Sequence, residues 1–224
     1  MKNSLQFRTP VALLPIAGIF LLGLVQNLNA QHAWKLHAEN DGIKVYTSKQ
    51  DSSAYNAIRV TFEVESTLSE YAALVLNVPD YKNWNAASSK STLIKKINDS
   101  ELLYYTEAKS PWPIADRYVV LHLKLTLDPA SKFLKIMIED APDQIPEKKG
   151  LVRINDYSSC LKAVPVSSGR LKVDYVLKID PGGNVPAWAV NLVSANMPVK
   201  TFSNLKNKLE SQQDQTALGS GSQE

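Results

Sequence analysis

The chain has 224 residues, 25 of them Lys or Arg and 22 Asp or Glu, with 44% hydrophobic side chains and a single cysteine. So balanced a charge excludes the basic stripe that nucleic acid demands, one Cys excludes an internal disulfide, and the apolar content supports a core without staples. Cys160, beside Ser158 and Ser159 in a strand-like run, reads as a small buried hydrophobe and not as a nucleophile.

Lys2 and Arg8 form a short basic head, residues 11–25 an apolar run, and Gln26 to Ala30 a polar end with small residues. This is the layout of a signal peptide over residues 1–30, so the protein is expected to be exported, to the periplasm or outside the cell. A retained anchor is the other reading. No charge occurs between Arg8 and Lys35, and a spanning helix needs roughly 20 apolar residues. Pro15 and the closing Ala30 favour cleavage. The folded domain is then 31–210, with a Gln-, Ser- and Gly-rich tail over 211–224 that is expected to be disordered.

Ile43 to Ser48 and Ala57 to Glu65 read as an opening pair of strands. In the second, Ile58, Val60, Phe62 and Val64 share one face and Arg59, Thr61 and Glu63 the other. Thr67 with Glu70 three residues on has capping-box spacing, and Tyr71, Leu74 and Val75 continue it as a helix to about Asn77. A short helix or turn follows at Pro79 to Asn85. Six strands come next, at 92–97, 102–108, 117–127, 133–138, 153–164 and 171–179, separated by turn signals; in direct succession they imply an antiparallel meander. Pro186 to Leu209 is helical in pattern, with a kink or break expected at the interior Pro198.

Two strands, two helices, a long antiparallel run and a closing helix is the element order of the helix-grip fold. The stretch Pro111-Trp112-Pro113-Ile114-Ala115-Asp116-Arg117-Tyr118-Val119-Val120 resembles the proline turn and strand entry of START domains. Asp180 to Asn191, with Pro181-Gly182-Gly183 and Pro186-Ala187-Trp188, resembles the loop and lid-helix start of bacterial START-like proteins, and Trp84-Asn85 fits as well. The resemblance spans about 34–209. It implies an α+β fold, a curved antiparallel sheet wrapped around a long C-terminal helix, with a cavity between them for a sterol, phospholipid, ceramide or similar molecule.

The candidate ligand-binding residues are Trp84, Tyr105, Glu107, Arg117, Tyr175, Trp188, Asn191 and Ala195. Arg117 has the parity of Val119, Leu121 and Leu123, an apolar face, so its guanidinium needs a partner. Glu107, across the proline turn, is the expected one, either as a cavity ion pair that holds a ligand head group or as a surface pair at a strand end. Tyr105 and Tyr175 offer hydroxyls or plain packing, and the parity of Tyr105 is ambiguous because Lys109 shares it. Trp188, Asn191 and Ala195 group on one helix face, where Asn191 must bond sheet backbone, water or ligand. Gly182 and Gly183 serve a turn that needs positive φ.

His32, His37 and His122 stand in no metal-ligand spacing, and no nucleophile elbow or phosphate loop occurs. The expectation is a monomeric carrier of a lipid or other hydrophobic small molecule, with transient membrane contact, no cofactor, no metal and no nucleic-acid partner. The alternative is a helix-grip enzyme acting on a bulky hydrophobic substrate.

Overall fold

The computed structural model describes residues 33–110, 112–128, 130, 132–154, 156–194 and 196–220, with backbone alone at 192–194 and 214–220. Residues 1–32, and with them the expected export signal, lie outside the described residues. Ala195 does too.

Ten strands form one sheet. They are β1 (Lys35–Asn40), β2 (Ile43–Gln50), β3 (Ser53–Glu65), β4 (Lys90–Asn98), β5 (Glu101–Ala108), β6 (Arg117–Asp128), β7 (Phe133–Asp140), β8 (Val152–Arg153), β9 (Asp156–Ser167) and β10 (Arg170–Asp180). The order across the sheet is β1-β2-β3-β10-β9-β7-β6-β5-β4, with the short β8 parallel to β6. Two helices, α1 (Leu68–Leu76) and α2 (Tyr81–Trp84), carry the chain from β3 in the middle to β4 at the far edge. Every other strand pairing is antiparallel.

Strand β3 shows why the sheet has a dry face. Ile58, Val60, Phe62 and Val64 are all buried, while Arg59 on the opposite face reaches Asp174 of β10 through hydrogen bonds of 2.9 and 2.5 Å. Alternation of period two thus becomes one apolar and one polar face. The capping box forms at α1: Thr67 Oγ1 accepts from the Glu70 N–H at 3.2 Å, and Glu70 Oε2 accepts from the Thr67 N–H at 2.8 Å. That backbone bond holds the Glu70 carboxyl below its ordinary pKa.

The expected closing helix is two helices, α3 (Ala187–Ser194) and α4 (Met197–Ser220). The break falls just before Pro198, which lies in the first turn of α4, where a missing N–H is harmless. Phe202, Leu205 and Leu209 of α4 are buried, at the helical spacing that places them on one face. The Phe202 ring lies 4.9 Å from Phe62 and 5.2 Å from Tyr175.

One strand is added before the expected opening pair, which forms as β2 and β3, and two expectations are corrected. Strand β1 is exposed along most of its length and is recruited by its hairpin, whose Asp41 and Gly42 both take positive φ, 49° and 71°, as a tight two-residue turn requires. The run 153–164 is divided, because residues 152–153 leave β9 to pair with β6. The tail is not irregular from Ser211: α4 continues to Ser220, with Gln213 donating to Glu70 at 3.1 Å. Once a helix is nucleated on a buried face, each further residue adds one hydrogen bond at low cost, so a polar extension propagates. Among the described residues no helix is long and apolar enough to cross a membrane.

Candidate ligand cavity

A cavity of about 560 Å³ lies between the apolar face of the sheet and the helices α1, α2, α3 and α4, within the range of roughly 300–1,000 Å³ for small-molecule sites. Its walls are mostly apolar: Val119, Leu121 and Ile136 from the sheet, Val75 from α1, and Phe202 and Leu205 from α4. The polar groups among them include two sets. Ser159, Tyr157 and Tyr175 form one, with the two tyrosine hydroxyls 3.5 Å apart; burial pushes the Tyr175 hydroxyl above its ordinary pKa. Arg117 with Ser110, Lys109, Thr106 and Ser88 forms the other.

Arg117 is 6% exposed and lines the cavity, the position its parity predicts. Its partner is not Glu107. Register explains the failure: Arg117 stands opposite Ala108 on β5, so Glu107 points to the other face. There Glu107 accepts from the Tyr105 hydroxyl at 2.6 Å and pairs with Lys90 at 3.6 Å. Tyr105 packs with Tyr118 and Val120 in a second cluster against Ala141, Ile145 and Leu151. Tyr105 and Glu107 are therefore outside the cavity. An outer-face position covered by a loop is buried without facing the ligand space, which alternation alone cannot distinguish from the inner face.

Backbone holds Arg117 instead. The guanidinium donates to the carbonyls of Ala115, Gly182 (3.3 Å) and Pro181 (3.5 Å) and to Ser110 Oγ (3.5 Å). Gly182 and Gly183 take φ of 66° and 67°, and a Cβ on Gly182 would sit 2.6 Å from the Arg153 carbonyl. Only glycine lets this loop fold down so closely. Burial lowers the Arg117 pKa from its ordinary value, opposed by Tyr55 and Asp116. Asp116 itself is engaged elsewhere, with Lys109 Nζ at 2.7 Å and the Ser110 N–H at 2.9 Å.

The remaining candidates divide. Trp84, Tyr175 and Trp188 line the cavity, Trp84 buried and Trp188 72% exposed. Asn191 does not; its Oδ1 accepts from the Asn56 N–H at 3.0 Å and its Nδ2 donates to the Ala54 carbonyl at 3.4 Å, so it pins α3 to β3. Tyr71, which reads from sequence as plain helix core, lines the cavity, and its hydroxyl and the Trp84 Nε1–H are buried donors without a partner among the described residues. Tyr157 and Ser159 share the parity of Leu161 and Ala163, a signal that was legible. Half-buried Cys160 has the opposite parity and lies outside the cavity lining.

A family model described as START domain matches residues 23–215. An uncharacterized protein of Pseudomonas aeruginosa is 28% identical over 190 residues, 85% of this chain and 93% of that protein. The phosphatidylcholine transfer protein of Rattus norvegicus is 27% identical over 73% of this chain and 77% of its own length. Among solved structures, a STAR-related lipid transfer protein fragment from Xanthomonas axonopodis superposes with a TM-score of 0.73 at 25% identity, covering 79% of this chain and 98% of that one. The chain belongs to the START domain family.

Proposed function

We propose that the protein binds a lipid or other hydrophobic molecule in this cavity and carries it between membranes, with no chemical change to it. The carrying observation is a mostly apolar space of about 560 Å³ lined by the sheet and the helices α1 to α4. Its mostly apolar walls suit the carriage of an apolar body. Mass spectrometry of organic extracts from the native protein tests the reading. A carrier yields one intact hydrophobic species in near-stoichiometric amount; an empty extract, or turnover of the species on incubation, would sink it.

Membrane contact belongs at the cavity mouth. Trp112, 93% exposed, sits between Ser110 and Ile114, both of which line the cavity, and the exposed Trp188 lines it from α3. Indole rings favour the membrane–water interface. Replacing Trp112 by Ala is expected to weaken vesicle binding while leaving uptake of a soluble probe unchanged. The proposed setting is the periplasm or the cell exterior, on the layout of residues 1–30, with the protein acting as a monomer. N-terminal sequencing of the processed protein should begin near Gln31, and an intact Met1 in a membrane fraction would replace export with anchoring.

A further inference from the structure

Charge bookkeeping around the cavity is uneven. Its lining holds two cationic side chains, Lys109 and Arg117, and no carboxylate among the described residues. The Lys109 charge is answered by Asp116 at 2.7 Å, outside on a half-exposed rim. Arg117 is answered by no carboxylate within ion-pair distance among the described residues. Its four acceptors are three carbonyls and a hydroxyl, of which Pro181 and Ser110 stand at 3.5 Å, the outer limit of a hydrogen bond.

A guanidinium has five N–H donors, so one is left over and two are loosely held. Carbonyl dipoles satisfy hydrogen bonds without cancelling a unit charge, and a buried charge without a counter-charge is strongly unfavourable. The side chain beside it, Ser110, is a hydroxyl that donates as readily as it accepts.

We infer that the ligand carries an acidic head group, a carboxylate or a phosphate, whose counter-charge inside the cavity is Arg117. This rests on the proposed binding of an amphiphile there and names its class. The planar guanidinium fork matches both oxyanions, and a charge-assisted pair in a water-poor pocket is stronger than a neutral hydrogen bond. A neutral alcohol of equal chain length would leave the charge uncompensated.

The test uses the processed protein preloaded with N-phenyl-1-naphthylamine, an uncharged fluorescent probe, and displaces it with dodecanoate, dodecyl phosphate or dodecanol below their aggregation concentrations. At least one anion is expected to displace the probe at about tenfold lower concentration than dodecanol, and which anion wins separates carboxylate from phosphate. In Arg117→Met the ratio of anion to dodecanol displacement should fall to about one; Arg117→Lys, which keeps the charge, should retain part of the preference. Equal displacement by all three in the unaltered protein overturns the inference and leaves hydrophobic binding standing. An anion preference that survives in Arg117→Met also overturns it. Probe that no amphiphile displaces would defeat the binding reading itself. Should Arg117→Met fail to fold, the comparison in the unaltered protein and in Arg117→Lys still decides.

Discussion

Helix α4 is fastened to the domain through Phe202, Leu205 and Leu209, all buried, and through two ion pairs, Lys208 with Asp80 just before α2 at 2.9 Å and Lys206 with Asp41 of the β1–β2 turn at 3.0 Å. Further bonds reach it from the segment after α2, where Thr201 accepts from the Ala86 N–H and Asn204 donates to the Trp84 carbonyl. Among its described side chains, helix α3 lines the same cavity on less: Asn191 is bonded to the start of β3, Ala189 and Val190 are half-buried, and Trp188 is largely in water. Cover and wall are different jobs. A wall is part of the core and opens only when the domain unfolds, whereas a cover with few buried contacts belongs to the low-stability end of a structure and opens locally. Ligand exchange is thus expected at α3.

The largest effects should separate the two helices. Leu205→Ala removes a fully buried side chain and is expected to cost about 2–5 kcal/mol in urea melts, against a change within about 0.5 kcal/mol for Trp188→Ala. Comparable losses at both sites would erase the distinction between wall and cover. Asn191→Ala comes next: stability should fall by about 1 kcal/mol or less, but stopped-flow release of a bound fluorescent amphiphile should accelerate. Unchanged release would place the exchange route elsewhere.

A smaller effect sharpens the case for α4 through pH. Burial alone would raise the Asp80 pKa, yet its bonds to Lys208 and Asn83 more than offset this and leave it below the ordinary value. A depressed carboxylate stabilises the fold above its unfolded pKa, and that contribution is lost as pH falls below about 4. Lys208→Met should therefore flatten the acid limb of the stability curve and lower stability at neutral pH by at most about 1 kcal/mol. The smallest effect is a control outside both helices. Glu107→Gln should cost about 0–1 kcal/mol, because Glu107 lies on the outer face beside Lys90 and leaves Arg117 untouched.

Alternation in β3, the capping box at Thr67, the meander and the break at Pro198 could all be read from residues, since each depends on neighbours within a few positions. Arg117 was placed on the cavity face by the same period-two logic. What escaped depends on distant chain. Whether Glu107 faces Arg117 is a matter of register between β5 and β6, and the burial of Tyr105 is caused by the segment around Ala141 to Leu151 folding over the outer face. The partners of Asn191 lie on the backbone of residues 54 and 56, far along the chain, so the choice among sheet, water and ligand stayed open. Carbonyls around Arg117 leave no trace in side-chain composition at all.

The pairing of β3 with β10 has a consequence for how the molecule comes into being. Val60 meets Tyr175 and Phe62 meets Val173, more than a hundred positions later, with the far half of the sheet threaded between them. Loop closure on that scale must precede the contacts that reward it, so the domain should fold slowly for its size. During synthesis the apolar side of the first three strands stays bare until nearly the whole chain has emerged. A nascent chain halted before residue 170 presents β3 as an open edge, and aggregation of such truncated products is the failure that this topology invites.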